Sequence, residues 1–220
     1  MNSKEFREQF WLHYCLLEDE FSKTVSFVTV ETDNFATYSA AYAKLLLEIG
    51  SEVDIALKNY CKFIDPSFSG NNIFQYKIFI QANREEFIHQ KVKILNRDIE
   101  YEPWQSWSKQ IDHTPSWWTV YNKNKHERTC IGEIDGVSKQ YYKFAKLKYS
   151  LEALAGLYAV LLNHYTELTE KERKKQISPQ PLSRLFDLNG GAWKNVKFSS
   201  DSPFLYTVDG SIIYDRHSIL

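Results

Sequence analysis

Apolar residues return every three or four positions through most of this chain. Phe6, Phe10, Tyr14, Leu17 and Phe21 mark one face of an amphipathic helix over about 3–24. The β-branched stretch from Thr24 to Thr32 interrupts that period, and Asp33 and Asn34 then offer a cap. Phe35, Tyr38, Tyr42, Leu45, Ile49, Val53, Ala56, Tyr60 and Ile64 predict a long helix over about 34–64, stopped by Pro66 and the Ser/Gly/Asn run behind it. A shorter helix is expected over about 73–88. The last stripe runs through Val137, Tyr141, Phe144, Leu147, Leu151, Leu154, Tyr158, Leu161, Tyr165 and Leu168, and predicts one helix capped by Asp135. The basic run at 171–175 suits its C-terminal dipole. Stripes of this width need partner faces, so Ile49, Val53, Leu151, Leu154 and Tyr158 are expected in one core.

Between 89 and 116 the helical period breaks. Two short extended runs surround Asn96-Arg97-Asp98, a hairpin pattern. Pro103 and Pro115 bound an aromatic loop holding Trp104 and Trp107. Near the end, Pro179, Pro181 and Asn189-Gly190-Gly191 read as a linker, and alternating apolar residues on either side of Asp209-Gly210 read as a β-hairpin. The expected organisation is a helical domain over 1–175, with an extended insertion at about 89–116, followed by a linker and hairpin tail over 176–220.

Composition narrows the picture a little. The 220 residues suffice for one domain with a sizeable core. A net charge of −1 does not demand a nucleic-acid or membrane partner, although it leaves room for a local basic patch. Cys15, Cys61 and Cys130 are far apart and unpaired in spacing, as reduced thiols would be. The start has neither the basic flank nor the apolar run of a signal peptide, and no stretch is long and apolar enough to span a bilayer. A soluble, cytoplasmic protein is expected, without membrane association.

The chemistry-bearing residues are sparse. The histidines are scattered without metal-ligand spacing, so no metal and no cofactor is expected; His13 and His164 read as structural. Glu18, Asp19 and Glu20 are consecutive and point apart on a helix. Glu48 and Glu52 share a helix face at the edge of an apolar stripe, where Glu52 is expected either to pair along the helix surface or to support the cationic segment at 126–128. Asp54 and Lys58 are spaced to pair along the same helix. That segment, WWTVYNKNKHER at 117–128, is the densest constellation in the chain. It reads as an aromatic-flanked cationic loop that grips a phosphate, or as a turn that pins two helices.

The long helices, and the Asn122-x3-His126 pair leading into the last of them, resemble HEPN domains over roughly residues 1–170. These are compact helical bundles common in bacterial toxin–antitoxin, abortive-infection and CRISPR-associated ribonucleases. Their motif is Arg, a polar residue, three variable residues and His; Tyr121 occupies the Arg position here. The resemblance implies a mainly α, HEPN-like helical bundle with small β-hairpin additions. It implies a metal-independent endoribonuclease of a bacterial defence or toxin system, with His126 moving protons, Arg128 supplying the cation and Asn122 orienting the His or donating to phosphate. Lys123 and Lys125 would hold the RNA backbone; Trp117 and Trp118 would stack on bases or anchor the segment. A homodimer is expected, because the family usually builds its site from two chains, and an antitoxin or defence-system protein is an expected partner. The alternative is a non-catalytic HEPN-like module that binds nucleic acid, a nucleotide or a partner protein, which Tyr121 favours.

Overall fold

The computed structural model describes residues 1–108, 113–174 and 178–189, together with the backbone of short strands at 196–197, 204–207 and 212–215. Its helices are α1 (Ser3–Phe6), α2 (Leu12–Val25), α3 (Ala40–Ile64), α4 (Ile73–Asn83), α5 (Ser116–His126) and α6 (Leu147–Lys171). Strands β1 (Lys91–Ile94), β2 (Glu100–Tyr101), β3 (Ile131–Ile134), β4 (Val137–Gln140), β5 (Phe186–Asn189), β6 (Val196–Lys197), β7 (Phe204–Thr207) and β8 (Ile212–Asp215) complete it. The fold is mainly helical with small antiparallel sheets.

The first helical stripe forms as expected. Asn2 accepts from the backbone N–H groups of Lys4 and Glu5 while Glu5 returns a bond to the Asn2 N–H, a capping box that starts α1. A π-helical stretch, Arg7–Trp11, joins α1 to α2, and both Phe10 and Trp11 are buried there. The second helix begins later than its apolar pattern. Ser39, not Asp33 or Asn34, is the cap, accepting from the Tyr42 N–H at 3.1 Å. Residues 32–34 form a 3-10 turn instead. The helix at 73 ends at Asn83, and a 3-10 turn, Glu85–His89, follows.

α3 and α6 make the central pair. Every residue of α6 from Ala153 to Thr166 is buried, so this helix is enclosed on all sides. Of its polar members, Asn163 exchanges amide hydrogen bonds with Gln90, whereas His164 packs against Phe6, Tyr60 and Phe63 with its Nε2 unpaired among the described residues. Ile49, Val53, Leu151, Leu154 and Tyr158 lie in one core, as their spacing predicts.

The last helical stripe is shorter than its sequence pattern. Residues 131–140 are the β3–β4 hairpin, with Asp135 at φ 50° and Gly136 at φ 74°, the paired left-handed conformation of a tight hairpin turn. Asp135 therefore caps no helix. Tyr141 and Phe144 are buried from a 3-10 turn, Val137 is exposed, and α6 starts at Leu147. The 96–98 hairpin forms between β1 and β2.

The expected linker is also corrected in its first half. β5 pairs with the free edge of β1, and Phe186 and Leu188 are buried. Glu18 on α2 anchors this return: its buried carboxylate accepts from the Tyr14 hydroxyl at 3.0 Å, the Leu185 N–H at 3.0 Å, the Arg184 N–H at 3.2 Å and the Ser183 hydroxyl. In the tail, β7 pairs with β8 and β6 with β7, all antiparallel. The expected turn at Asp209-Gly210 lies outside the described residues. Among the described residues no helix is long and apolar enough to cross a membrane.

Candidate nucleic-acid interface

The segment 117–128, expected as a loop, is mostly α5. Its inward face follows helical spacing: Trp117, Val120, Tyr121 and Asn124 are buried, and Trp118 with them. Trp117 donates to the Pro103 carbonyl at 3.1 Å and stands edge-on to Trp104. At 1% and 5% exposure, Trp117 and Trp118 hold α5 in the core and have no free face for a base. Tyr121 lies in the α3–α5 interface over Gly50, whose missing side chain makes room for the ring. An unpaired guanidinium at that position would be buried, so Tyr here completes the packing.

The polar side of α5 is divided. Asn122 is half-buried, whereas Lys125, His126 and Arg128 are exposed. Among the described residues the side chains of Asn122, His126 and Arg128 have no hydrogen-bond or ion-pair partner. Lys123 is engaged: it bonds both carboxylate oxygens of Glu127, at 2.8 and 2.9 Å, and lies 5.3 Å from the centre of the Tyr141 ring. Lys125 folds back to the Tyr121 hydroxyl at 3.4 Å. Glu52 does not reach this segment. Its neighbour is His13 on α2, 3.6 Å away, a contact across helices rather than along one. Glu48 instead faces Lys44 on its own helix.

Asn124 carries no sequence signal that sets it apart from Asn122, and it does the positioning. Buried, it donates to the Val120 carbonyl at 2.9 Å and to the Tyr141 carbonyl at 3.0 Å. The Tyr142 N–H donates to the Arg128 carbonyl at 3.1 Å, and the Tyr141 N–H to Cys130 at 3.0 Å. These bonds fasten the end of α5 to the 3-10 turn at 141–144.

That turn carries a basic surface hidden inside the expected helical stripe. Lys139 and Lys146 stand 4.7 and 5.7 Å from the buried Phe144 ring, and Lys143 lies 5.6 Å from the exposed Tyr142 ring. Tyr142 in turn meets the exposed Tyr38 ring edge-on at 6.2 Å. Burial, with Lys146 and Lys143 close by, holds the Lys139 ammonium below its ordinary range. Among the described residues Arg128, Lys139, Lys143 and Lys146 form no ion pair with a carboxylate. Asp135, at the hairpin turn, feels burial most, but hydrogen bonds from Ser116 and Tyr149 bring its carboxyl below the usual range; Lys148 and Lys146 add to this. Like charges gathered over aromatic rings without ion-paired carboxylates suit a polyanion that brings its own negative charge and flat rings. The sequence signal was the interleaving itself, four Lys among three Tyr and a Phe between 139 and 149.

The chain matches no family model, no curated protein and no solved structure, so its function rests on the geometry of its own residues.

Proposed function

We propose that this protein is a non-catalytic, HEPN-like module that binds single-stranded RNA across the surface formed by Arg128, Lys139, Lys143, Lys146, Tyr142 and Tyr38. The observation that carries the reading is the lysine cluster around the 141–144 turn, fastened by Asn124 to the end of α5 and forming no ion pair with a carboxylate among the described residues. Cations there neutralise phosphates, and the exposed tyrosines offer faces on which bases stack. The buried Tyr121 supports binding over cleavage, because the family's phosphate-contacting Arg has no counterpart at its own position. A role in bacterial defence, a homodimer and an antitoxin-like partner belong to the same reading.

The test is fluorescence anisotropy with a labelled oligouridylate across a salt series. Four phosphate-contacting cations give a log–log slope of roughly −3, from about −0.7 per contact on a single strand. The Lys143→Ala/Lys146→Ala double variant should flatten that slope by about half. Tyr142→Ala should weaken binding by about 1–3 kcal/mol while leaving the slope unchanged. Binding that ignores salt, or variants that bind like the wild type, would overturn the reading.

A second reading, a metal-independent endoribonuclease, is favoured by one specific feature: His126 is exposed and unpartnered among the described residues, two positions before Arg128. RNA cleavage in EDTA that yields cyclic phosphate ends and disappears in His126→Ala would replace binding by catalysis.

A further inference from the structure

The lysines around the 141–144 turn are not all alike. Lys123 is paired with Glu127, and Lys148 lies 3.7 Å from Glu152. Among the described residues Lys139, Lys143 and Lys146 have no such carboxylate. Two of these three converge. The Lys139 and Lys146 ammonium groups stand 4.7 and 5.7 Å from the centre of one ring, Phe144, and Lys146 comes within side-chain hydrogen-bonding reach of Lys139. An ammonium group has donors and no acceptor, so the two cannot satisfy each other and they repel. Each of the three residues keeps part of its surface in solvent, and the Lys139 ammonium is only slightly withdrawn from it. Asp135 is near enough to feel Lys146, but its oxygens already accept from Ser116 at 2.7 Å and Tyr149 at 2.8 Å. Beside the lysines stand two exposed rings. Tyr38 forms an antiparallel bridge with Lys146 and meets Tyr142 edge-on, and Lys143 lies 5.6 Å from the Tyr142 ring.

We propose that Lys139, Lys143 and Lys146 clamp the phosphate monoester of a nucleotide, either the terminal phosphate of an RNA strand or a free nucleoside monophosphate, with Tyr38 and Tyr142 taking its base. The number of charges decides between phosphates. A phosphodiester inside a strand carries one negative charge, and a row of them is matched by cations spaced along the strand. A monoester carries about 1.5 to 2 negative charges near pH 7 and has three free acceptor oxygens. Lysines drawn together over one ring suit the second, because one dianion relieves the repulsion between two ammonium groups and leaves an oxygen for the third. The rings supply what a bare phosphate does not use, a face for a base. Burial, then Lys146 and Lys143, lowers the Lys139 pKa, and a bound dianion would raise it again. The strand as source rests on the RNA-binding reading above; the free nucleotide does not.

The test uses the whole chain and saturation-transfer NMR with uridine 5′-monophosphate, the methyl ester of that phosphate, and uridine, which carry about two, one and no negative charges. The expected result is saturable binding of the monophosphate, about tenfold weaker binding of the ester, and weaker binding still of uridine. Lys139→Ala/Lys146→Ala should erase the preference for monophosphate over ester, and Lys139→Arg/Lys146→Arg should keep it. Neither pair of substitutions breaks an ion pair among the described residues, so both variants should melt close to wild type. Oligouridylates ending in a 5′-phosphate, a 3′-phosphate or hydroxyls then compete for the monophosphate signal. A phosphorylated end that displaces it about tenfold better than hydroxyl ends assigns the clamp to an RNA terminus. Displacement by none of them, with the monophosphate still bound, assigns it to the free nucleotide and removes the RNA reading. Equal binding of monophosphate and ester, or equal displacement by phosphorylated and hydroxyl ends, overturns the clamp, and leaves the RNA surface standing where its salt slope holds. Monophosphate binding undiminished in Lys139→Ala/Lys146→Ala overturns it as well.

Discussion

Replacing Gly50 by Ala would place a methyl carbon 2.3, 2.4 and 2.7 Å from Cδ2, Cγ and Cε2 of the Tyr121 ring. Gly50 sits inside α3, where Ala is favoured over Gly by about 1 kcal/mol on helix propensity alone. Against that stands overpacking, which costs about 1–3 kcal/mol in a filled core. The upper end applies, because three ring carbons lie under contact distance and Tyr121 is only 4% exposed, with Trp118 5.1 Å from it. The net expectation is a loss of about 2 kcal/mol. In a Tyr121→Ala background the ring is gone and the same substitution should stabilise by about 1 kcal/mol. The sign therefore reverses, and the coupling between the two sites is about 3 kcal/mol. Urea denaturation of wild type, both single variants and the double variant measures it, with similar m values as the check on two-state behaviour. Gly50→Ala stabilising the wild type, or a coupling below about 0.5 kcal/mol, would refute the claim that α5 is seated on α3 by this close approach.

Two further outcomes follow from buried ionisable groups. His164 has its pKa pushed down to about 3 by burial, against 6.5 ordinarily, so its neutral form stabilises the fold fully above 6.5 and that stability is lost as pH falls toward 3. Glu152 runs the other way: raised from 4.5 to about 7, chiefly by burial, it favours folding below 4.5 and loses that contribution as pH rises through 7. Each slope is about 1.4 kcal/mol per pH unit, so the two nearly cancel between about 4.5 and 6.5. Thermal melts should show Glu152→Gln losing stability relative to wild type as pH falls through that window; a constant difference would refute the assignment. Glu18→Ala strands the Arg184 N–H and leaves the Leu185 N–H only the Ser183 hydroxyl at 3.2 Å, at about 1–3 kcal/mol for a buried group left unpaired, and should detach β5 from β1. Hydrogen exchange at Asp187, whose register with Lys93 turns its N–H toward β1, should then accelerate beyond the global unfolding rate, and unchanged protection there would show that β5 is held by other contacts.

The apolar period alone determined the helical character of this chain, the placement of the N-terminal helix, and a core built from Ile49, Val53, Leu151, Leu154 and Tyr158. These follow from local geometry, because one buried face of a helix needs a residue every three or four positions. The same period misled at 137–144. Val137, Tyr141 and Phe144 keep helical spacing, but the Asp135-Gly136 turn adopts the left-handed pair that ends in a hairpin, and the turn chemistry won. The Asp-Gly dipeptide at 135–136 is the legible warning, the same turn signal as at 209–210.

Over 117–128 the sequence marked a dense polar and aromatic segment but not its orientation. Composition cannot say which side of α5 faces inward; Gly50 on α3 and Pro103 before α5 decide it, burying Tyr121 and Trp117 and leaving His126 and Arg128 outside. Asn122 and Asn124 are equivalent on paper, yet only Asn124 meets the Tyr141 carbonyl across a gap of seventeen residues. Glu52 finds His13 for the same reason, a contact between helices far apart in the chain. The return of β5 to β1 is a sheet pairing across almost a hundred residues, which no local pattern specifies. What the sequence determined is what a helix or strand requires of itself; which faces meet, and so which charges stay exposed, was decided by the packing of α5 on α3 and of the 141–144 turn on the end of α5.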